Sequence, residues 1–245
     1  MIDLLDPITV ITRMYNAGKY DEMANYCLNL LEKNPSDKTA LQNLSLAYLH
    51  LEKFDKALEY CNQVLQNDEL DSYAIKNKIY ALENLKEFEK VLSCCDQLLS
   101  SIPNDVWTLN SKALALNELN KHEEAIEYYD KVLEIEPQNI TALMNKALSL
   151  SFLNKLTESI SCYDKVQKLD SSIQDAALAK AKLYSKLGLD DESFLAAQGV
   201  LNENMNKIIS DAKINHCSVF HQFCINEFND YKDKDPHKNN PFKAK

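Results

Sequence analysis

The hydrophobic pattern of this chain predicts pairs of amphipathic helices from residue 4 to residue 207. Leucines recur at a constant interval, at Leu51, Leu85, Leu119, Leu153 and Leu187. They fall at helical spacing on the faces that would turn inward in an antiparallel helix pair. With Gly 3 and Pro 6, the chain has too few turn formers for an all-β fold. The pattern therefore indicates an all-α fold.

The same pattern repeats with a period of 34 residues and without an insertion. The stretch 123–137, which reads Glu-Glu-Ala-Ile-Glu-Tyr-Tyr-Asp-Lys-Val-Leu-Glu-Ile-Glu-Pro, has relatives before and after it. Alignment on this stretch divides the chain into six units, 4–37, 38–71, 72–105, 106–139, 140–173 and 174–207. Such self-similarity is the signature of a repeat architecture, in which stacked units bury a continuous core.

Individual positions of the unit indicate why it would fold as two helices. Small residues at positions 8 and 20, such as Ala113 and Ala125, allow the helices to approach closely. Position 15 lies in the turn between them, where Gly18 and Gly188 tolerate a positive φ. Proline at position 32 ends the second helix. The residues at position 34 can cap the next helix, and they are Asp37, Asp71, Asp105 and Asn139.

These units resemble the tetratricopeptide repeat family, whose 34-residue pattern of small, aromatic and proline positions they follow. The first unit departs from the pattern with Ile11 and Met23 at small positions, and the sixth has Asp190 where an aromatic residue is usual. Terminal repeats are expected to be atypical. The resemblance implies a right-handed superhelical solenoid of helix-turn-helix repeats, in which the first helices line a concave groove.

A different segment follows the repeats. Residues 205–228 carry a wide apolar stripe at helical spacing, which predicts one helix that caps the last repeat. The alternative is a helix that docks onto a partner or onto a second copy of the chain. Residues 229–245 are polar, rich in lysine and without periodicity, which predicts a disordered tail.

Composition narrows the classes of partner and compartment. The formal net charge of −10 argues against nucleic acid, because a phosphate backbone has to be neutralised by clustered cations. No apolar run is long enough to span a membrane, and the N-terminus carries acids where a secretory signal would be basic. The 7 cysteines lack the spacing of a disulfide scaffold, so we expect a reducing compartment and a cytoplasmic protein.

Residues that could support catalysis or metal binding are sparse. Three cysteines share position 24, which predicts core packing for Cys27, Cys61 and Cys95. Another set would share one helical face, Cys217, His221 and Cys224, but zinc needs a fourth ligand and none is evident. The chain has no glycine-rich phosphate loop, nucleophile elbow or catalytic triad. We therefore predict no enzyme activity, no cofactor and no metal.

The resemblance places positions 2, 5, 6, 9, 12 and 13 of each unit in the groove. Position 6 supplies asparagines, Asn43, Asn77 and Asn145, whose carboxamides offer a donor and an acceptor to an extended peptide. Position 9 supplies an apolar row, Leu46, Tyr80, Leu114 and Leu148. Positions 2 and 5 complete the candidate peptide-binding groove with Tyr73, Trp107, Lys76 and Asn110.

These features predict a scaffold or adaptor that binds a neutral or apolar peptide or helix of a partner protein. The family also has a clamp for acidic chaperone tails. In this chain Lys76 matches its first position, but Tyr80 and Ser111 replace asparagines, and Thr141 and Asn145 replace cations. One alternative is an assembly subunit that forms a homo-oligomer through its C-terminal helix. The other is a co-chaperone-like module without the clamp.

Overall fold

The computed structural model describes residues 6–234, and every regular element in this range is an α-helix. The chain forms two compact units, Met1–Pro137 and Gln138–Lys245. The described part of the first unit contains α1 Pro7–Asn16, α2 Tyr20–Lys33, α3 Lys38–His50, α4 Phe54–Asn67, α5 Ser72–Asn84, α6 Phe88–Ser101, α7 Val106–Glu118 and α8 His122–Ile135. The described part of the second contains α9 Ile140–Phe152, α10 Leu156–Leu169, α11 Gln174–Lys186, α12 Asp190–Ala197, α13 Asn202–Ile214 and α14 Val219–Lys234. The predicted all-α fold is confirmed.

The helix starts reproduce the period seen in the sequence. Five first helices, α3, α5, α7, α9 and α11, begin at residues 38, 72, 106, 140 and 174, a constant interval of 34. Within each unit consecutive helices pack against each other, and in the first unit α1, α3, α5 and α7 also contact one another in series. The first helices of this unit therefore form one continuous layer.

Polar side chains start four of these first helices. The side chains of Asp37, Asp71, Asp105 and Asn139 accept hydrogen bonds from the backbone N–H groups of Ala40, Ala74, Thr108 and Ala142. The four donor–acceptor distances lie between 2.7 and 2.9 Å. Each bond satisfies an N–H group that has no partner inside its own helix.

Every residue at position 15 has a positive φ. The angles are 68° at Gly18, 55° at Glu52, 59° at Lys86, 59° at Asn120, 58° at Asn154 and 72° at Gly188. After α3, the N–H of Glu52 donates to the carbonyl of Leu49, and the N–H of Lys53 donates to the carbonyl of Tyr48. This is the Schellman arrangement, which satisfies the last carbonyls of a helix and requires the left-handed conformation at the residue after the C-cap.

The interiors of the helix pairs follow the sequence pattern. Ala57, Ala113, Ala125 and Ala147 at positions 8 and 20 have no exposed surface. The three position-24 cysteines, Cys27, Cys61 and Cys95, are also completely buried, so the prediction that they are core residues is confirmed. Burial raises the pKa of the thiols of Cys27 and Cys61, to about 12 and about 11. These thiols therefore remain protonated at neutral pH.

The sixth repeat departs from the 34-residue pattern. Its second helix, α12, ends at Ala197 after 8 residues, whereas α10 has 14. Gly199 follows with a φ of 78°, and α13 begins at Asn202. The physical reason is a glycine cap: the N–H of Gly199 donates to the carbonyl of Ala196 and that of Val200 to the carbonyl of Leu195, the same Schellman arrangement as after α3. Lys180, which is buried, donates over 2.9 Å both to Oδ1 of Asp164 and to the carbonyl of Val200, and so anchors the chain just after this cap.

The single helix predicted over 205–228 is wrong, because the structure has two helices there, α13 and α14. Between them His216 has a φ of 50°, and the N–H of Cys217 donates to the carbonyl of Ala212. Met205, Ile208, Ala212 and Val219 pack with residues of α11 and α12 in one hydrophobic cluster. Both helices therefore cover the last repeat, although the predicted continuous helix does not exist.

The predicted disordered tail begins too early, because α14 continues to Lys234. Residues 235–245 of that tail lie outside the described residues. In the described range, none of the helices has both the length and the apolar character that a membrane crossing requires.

Candidate functional site

A cavity of about 1060 Å³ opens on the layer of first helices in the first unit. Its lining comes mainly from α1, α3, α5 and α7, with Glu52 and Phe54 from the turn after α3 and the start of α4. The lining residues are Ile11, Thr12, Tyr15, Asn43, Leu46, Leu49, His50, Glu52, Phe54, Tyr73, Lys76, Asn77, Tyr80, Asn84 and Trp107. We refer to this feature as the first-unit groove.

The structure brings together seven of the residues predicted for the groove. They are Asn43, Leu46, Tyr73, Lys76, Asn77, Tyr80 and Trp107. Asn110 and Leu114 also lie on α7, but they are not part of the cavity lining. Asn145 and Leu148 lie on α9, which belongs to the second unit, and the side chain of Leu148 is exposed there.

Several lining residues were missing from the sequence prediction. Tyr15 stands at position 12, and His50 and Asn84 stand at position 13 of their repeats. The family pattern places both positions in the groove, so reading these positions in every repeat would have found them. Glu52 had no such signal, because position 15 is a turn position and not an inner position of the first helix.

Three of the asparagines predicted for the groove make hydrogen bonds within the protein. The side-chain amide of Asn43 donates to the carbonyl of Thr39 over 2.8 Å, and that of Asn110 donates to the carbonyl of Val106 over 3.1 Å. The amide of Asn77, which is buried, donates to Oγ of Ser45 over 2.9 Å and so joins α5 to α3. Each of these three amide nitrogens therefore uses one of its two N–H groups within the protein.

The lysine of the groove is held in an ion pair. Nζ of Lys76 lies 2.8 Å from Oδ2 of Asp105, the residue that caps α7. Burial opposes ionisation of Asp105, but hydrogen bonds from Lys76 and Thr108 outweigh it and lower the pKa of this carboxyl. The carboxylate therefore remains charged at neutral pH and compensates the ammonium.

Three aromatic side chains give the groove its apolar surface. Tyr73 is 42% exposed, Tyr80 is 48% exposed and Trp107 is 39% exposed. The ammonium of Lys76 lies 5.7 Å from the centre of the Trp107 ring, within the range of a cation–π contact. Burial raises the pKa of Tyr73, so its hydroxyl stays protonated and can act as a donor at neutral pH.

A second aromatic group closes the end of the groove formed by α1. The rings of Tyr20 and His50 are stacked with centres 4.3 Å apart. The ring of Tyr15 meets both of them edge-on, at 5.9 Å from Tyr20 and 5.2 Å from His50. These contacts fix the orientation of Tyr15 and His50, both of which line the cavity.

The cysteine-histidine set of the C-terminal segment does not share one helical face. Cys217 lies in the turn before α14 and packs against the cluster that covers α12, while Cys224 is an exposed residue of α14. The assumption of one continuous helix was the error. Among the described residues, no three His, Cys, Asp or Glu side chains are grouped closely enough to hold a metal ion.

Family models described as tetratricopeptide repeat match residues 14–72, 106–139 and 140–173, which together make up more than half of the chain. The chain therefore belongs to the tetratricopeptide repeat family. None of the curated proteins matches it.

Solved structures share this fold at low sequence identity. A tetratricopeptide repeat protein from Parabacteroides merdae has a TM-score of 0.69 and 19% identity, over 78% of this chain and 75% of that one. MamA from Desulfovibrio magneticus RS-1 has a TM-score of 0.65 and 18% identity, over 68% and 94% of the two chains. YrrB, a tetratricopeptide repeat protein with an unusual peptide-binding site, has a TM-score of 0.61 and 15% identity, over 72% and 91%. These likenesses establish the fold and not a partner.

Proposed function

We propose that this protein is an interaction module whose first-unit groove binds a segment of a partner protein. The observation that carries the proposal is the meeting of Tyr73, Tyr80 and Trp107, all partly exposed, in one cavity of about 1060 Å³. Large aromatic side chains in a concave surface are the preferred anchors of protein interfaces. The same fold carries a peptide-binding site in YrrB.

The arrangement of the groove favours anchoring through side chains over recognition of the peptide backbone. A backbone ladder would need the asparagine amides to face the peptide, but those of Asn43 and Asn77 are already oriented by one hydrogen bond each, to Thr39 and Ser45. Apolar side chains of the partner can be buried against Leu46, Tyr80 and Trp107 without breaking a hydrogen bond. We therefore propose a mainly apolar segment as the ligand.

An acidic tail is a poor candidate for this groove. Lys76 is the lysine of the lining, and Asp105 neutralises it at 2.8 Å. A carboxylate from a ligand would have to compete with a carboxylate that already caps α7. This supports the proposal of an interaction module without the clamp for acidic chaperone tails.

We propose a reducing compartment, such as the cytoplasm, for this module. The cysteines Cys27, Cys61, Cys94 and Cys95 are buried and pack as thiols in the repeat cores. Thiols of this kind are typical of proteins that fold where disulfides are not formed.

Self-association through the C-terminal helices is a second candidate. Ile214 is 70% exposed and Phe220 is 60% exposed, on either side of the turn between α13 and α14. The ring of Phe220 lies 5.7 Å from that of Phe194, which is on α12. Light scattering of the chain with Ile214→Ser and Phe220→Ser tests this candidate. A mass above one protomer that falls to one protomer in the variant supports it, and a mass that is the same in both contradicts it.

The experiment for the groove compares two surface variants of the full chain. Affinity capture with quantitative mass spectrometry is carried out with the wild type, with Tyr80→Ala plus Trp107→Ala, and with Ile102→Ala. Ile102 is a matched control, because it is an exposed apolar residue of the first unit outside the cavity lining. Partners that are kept by wild type and Ile102→Ala and lost by the groove variant support the proposal. Equal capture by all three proteins contradicts it.

A further inference from the structure

The first-unit groove has an excess of negative charge. Apart from tyrosines, its ionisable lining residues are Lys76, Glu52 and His50. Lys76 is compensated by Asp105, as described above. Glu52 is exposed, and no cation of the described residues lies within ion-pair distance of its carboxylate. The groove therefore presents one uncompensated negative charge.

Backbone preference does not explain a glutamate at this position. Glu52 has a φ of 55°, a left-handed conformation that is unfavourable for a residue with a side chain. Glycine or asparagine, which tolerate this conformation, occupy the equivalent position at Gly18, Asn120, Asn154 and Gly188, and Lys86 is the other residue of a different type there. The hydrogen bonds of the turn after α3 hold the backbone of Glu52 in place at the edge of the groove.

Aromatic rings lie in the same cavity as this carboxylate. Tyr15 is 37% exposed, and its contacts with Tyr20 and His50 hold its ring in one orientation. Tyr73 and Tyr80 line the same cavity from α5. The faces of such rings attract cations, and a carboxylate close to them adds a direct ionic partner. The Lys76–Trp107 pair shows this type of contact in the groove itself.

We propose that the segment bound in the first-unit groove carries a lysine or arginine, which contacts Glu52 and the ring of Tyr15. The inference rests on the proposed function and adds the chemistry of the ligand to it. The cation lies at the end of the groove formed by α1 and α3, and the apolar residues of the segment lie against Tyr80 and Trp107. At the Trp107 end, the compensated pair of Lys76 and Asp105 neither requires nor attracts a charge.

The net charge of the whole protein also favours a cationic ligand. The formal net charge is −10, so the chain attracts cationic segments over long range and repels acidic ones. Salt screens both this field and an exposed ion pair with Glu52. Binding of the proposed ligand therefore weakens as the salt concentration rises, and it does so more in the wild type than in a Glu52→Gln variant.

The test uses a displayed library of random 12-residue peptides, selected on the full chain and sequenced. A parallel selection on Tyr80→Ala plus Trp107→Ala identifies which enriched peptides depend on the groove. The expected result is a groove-dependent consensus with Lys or Arg at one fixed position beside apolar residues. A synthetic peptide of that consensus is then titrated into wild type, Glu52→Gln and Glu124→Gln. Glu124 is an exposed acid of α8 outside the cavity, and thermal melts confirm that each variant is folded.

We expect Glu52→Gln to weaken binding roughly five-fold and Glu124→Gln to leave it unchanged, since an exposed ion pair contributes about 1 kcal/mol at most and five-fold corresponds to that energy. Replacing the peptide cation with Gln should cause the same loss in wild type and no further loss in Glu52→Gln. Groove-dependent peptides that are neutral or acidic, or whose cation does not depend on Glu52, overturn this inference and leave the proposed function standing. Absence of groove-dependent peptides overturns both.

Discussion

Nζ of Lys76 in α5 donates a hydrogen bond over 2.8 Å to Oδ2 of Asp105, the residue that caps α7. The preceding repeat has the equivalent link, because the amide of Gln42 in α3 donates to both carboxylate oxygens of Asp71, the cap of α5. Positions 5 and 34 of a repeat are thus coupled across neighbouring first helices. The lysine of the groove is therefore a structural residue as well as a surface residue.

Removing the two partners of this pair should have unequal effects on stability. We expect Asp105→Ala to lower the free energy of unfolding by about 1–2 kcal/mol, because α7 loses its N-cap. Lys76→Met should cost less than about 1 kcal/mol, because the Lys76 side chain is 36% exposed and the cap remains. Urea denaturation measures both values. An equal cost for the two substitutions would show that the ion pair, and not the cap, holds α7.

The capping carboxylates should make stability depend on pH in the acid range. Burial works against ionisation of Asp71 and Asp105, yet their hydrogen bonds prevail and the pKa of each is lowered. Their contribution is therefore present above the ordinary carboxyl pKa of about 4 and is lost as the pH falls further, through the folded-state pKa. Thermal melts from about pH 7 to pH 2 should show a smaller acid-dependent loss for Asp71→Asn plus Asp105→Asn than for wild type. The same acid-dependent loss in both proteins would contradict this assignment.

The left-handed residues at position 15 offer a test of backbone strain. Lys86 has a φ of 59°, so Lys86→Gly should stabilise the protein by about 0.5–1 kcal/mol, after allowance for the greater freedom of glycine in the unfolded chain. Glu127→Gly, in the exposed interior of α8, should instead destabilise it by about 0.6–1 kcal/mol. Chemical denaturation distinguishes the two signs. A loss of stability in Lys86→Gly would mean that the lysine side chain contributes more than its backbone strain costs.

The buried ion pair of the second unit should control the position of α13. Lys180 is completely buried, and Oδ1 of Asp164 also accepts from the backbone N–H of Asn202 over 2.8 Å at the start of α13. Lys180→Met leaves Asp164 without its buried partner, which should cost about 3–5 kcal/mol. Lys180→Met plus Asp164→Leu should cost less, because no buried charge remains unpaired. Chemical denaturation measures the free energy of unfolding of both variants. In Lys180→Met, the backbone amides of α13 should exchange hydrogen faster than in the wild type. A double variant less stable than the single one would contradict this account.

Much of the fold could be predicted, because the residues that start, cap and bury each helix are close together in sequence and recur every 34 residues. The helix starts, the caps at Asp71 and Asp105 and the burial of Cys61 each follow from residues a few positions apart. The break after α12 also has a local cause, the cap at Gly199, but the unbroken 34-residue frame over 174–207 passed over it. The contacts of Lys180 with Asp164 and Val200 could not be predicted, because these residues are distant in sequence and meet only in the folded protein.

The positions of several cavity residues could be predicted from the repeat, whereas the hydrogen bonds of its polar side chains could not. Tyr80 and Trp107 follow from their repeat positions, and both line the cavity. The state of a polar side chain depends on which neighbour it reaches. The sequence shows Asn77 and Lys76 as available groups, whereas in the structure Ser45 and Asp105 already bind them.

The most direct test of the central proposal is the affinity of a captured partner segment for the groove. Calorimetric titration of that segment should give a Kd at least ten-fold weaker for Tyr80→Ala plus Trp107→Ala than for wild type, since loss of an aromatic anchor commonly costs more than about 1 kcal/mol. Ile102→Ala, in the same unit, should bind within about two-fold of wild type, as near-neutral surface positions do. A groove variant that binds as tightly as wild type would show that the first-unit groove is not the binding site.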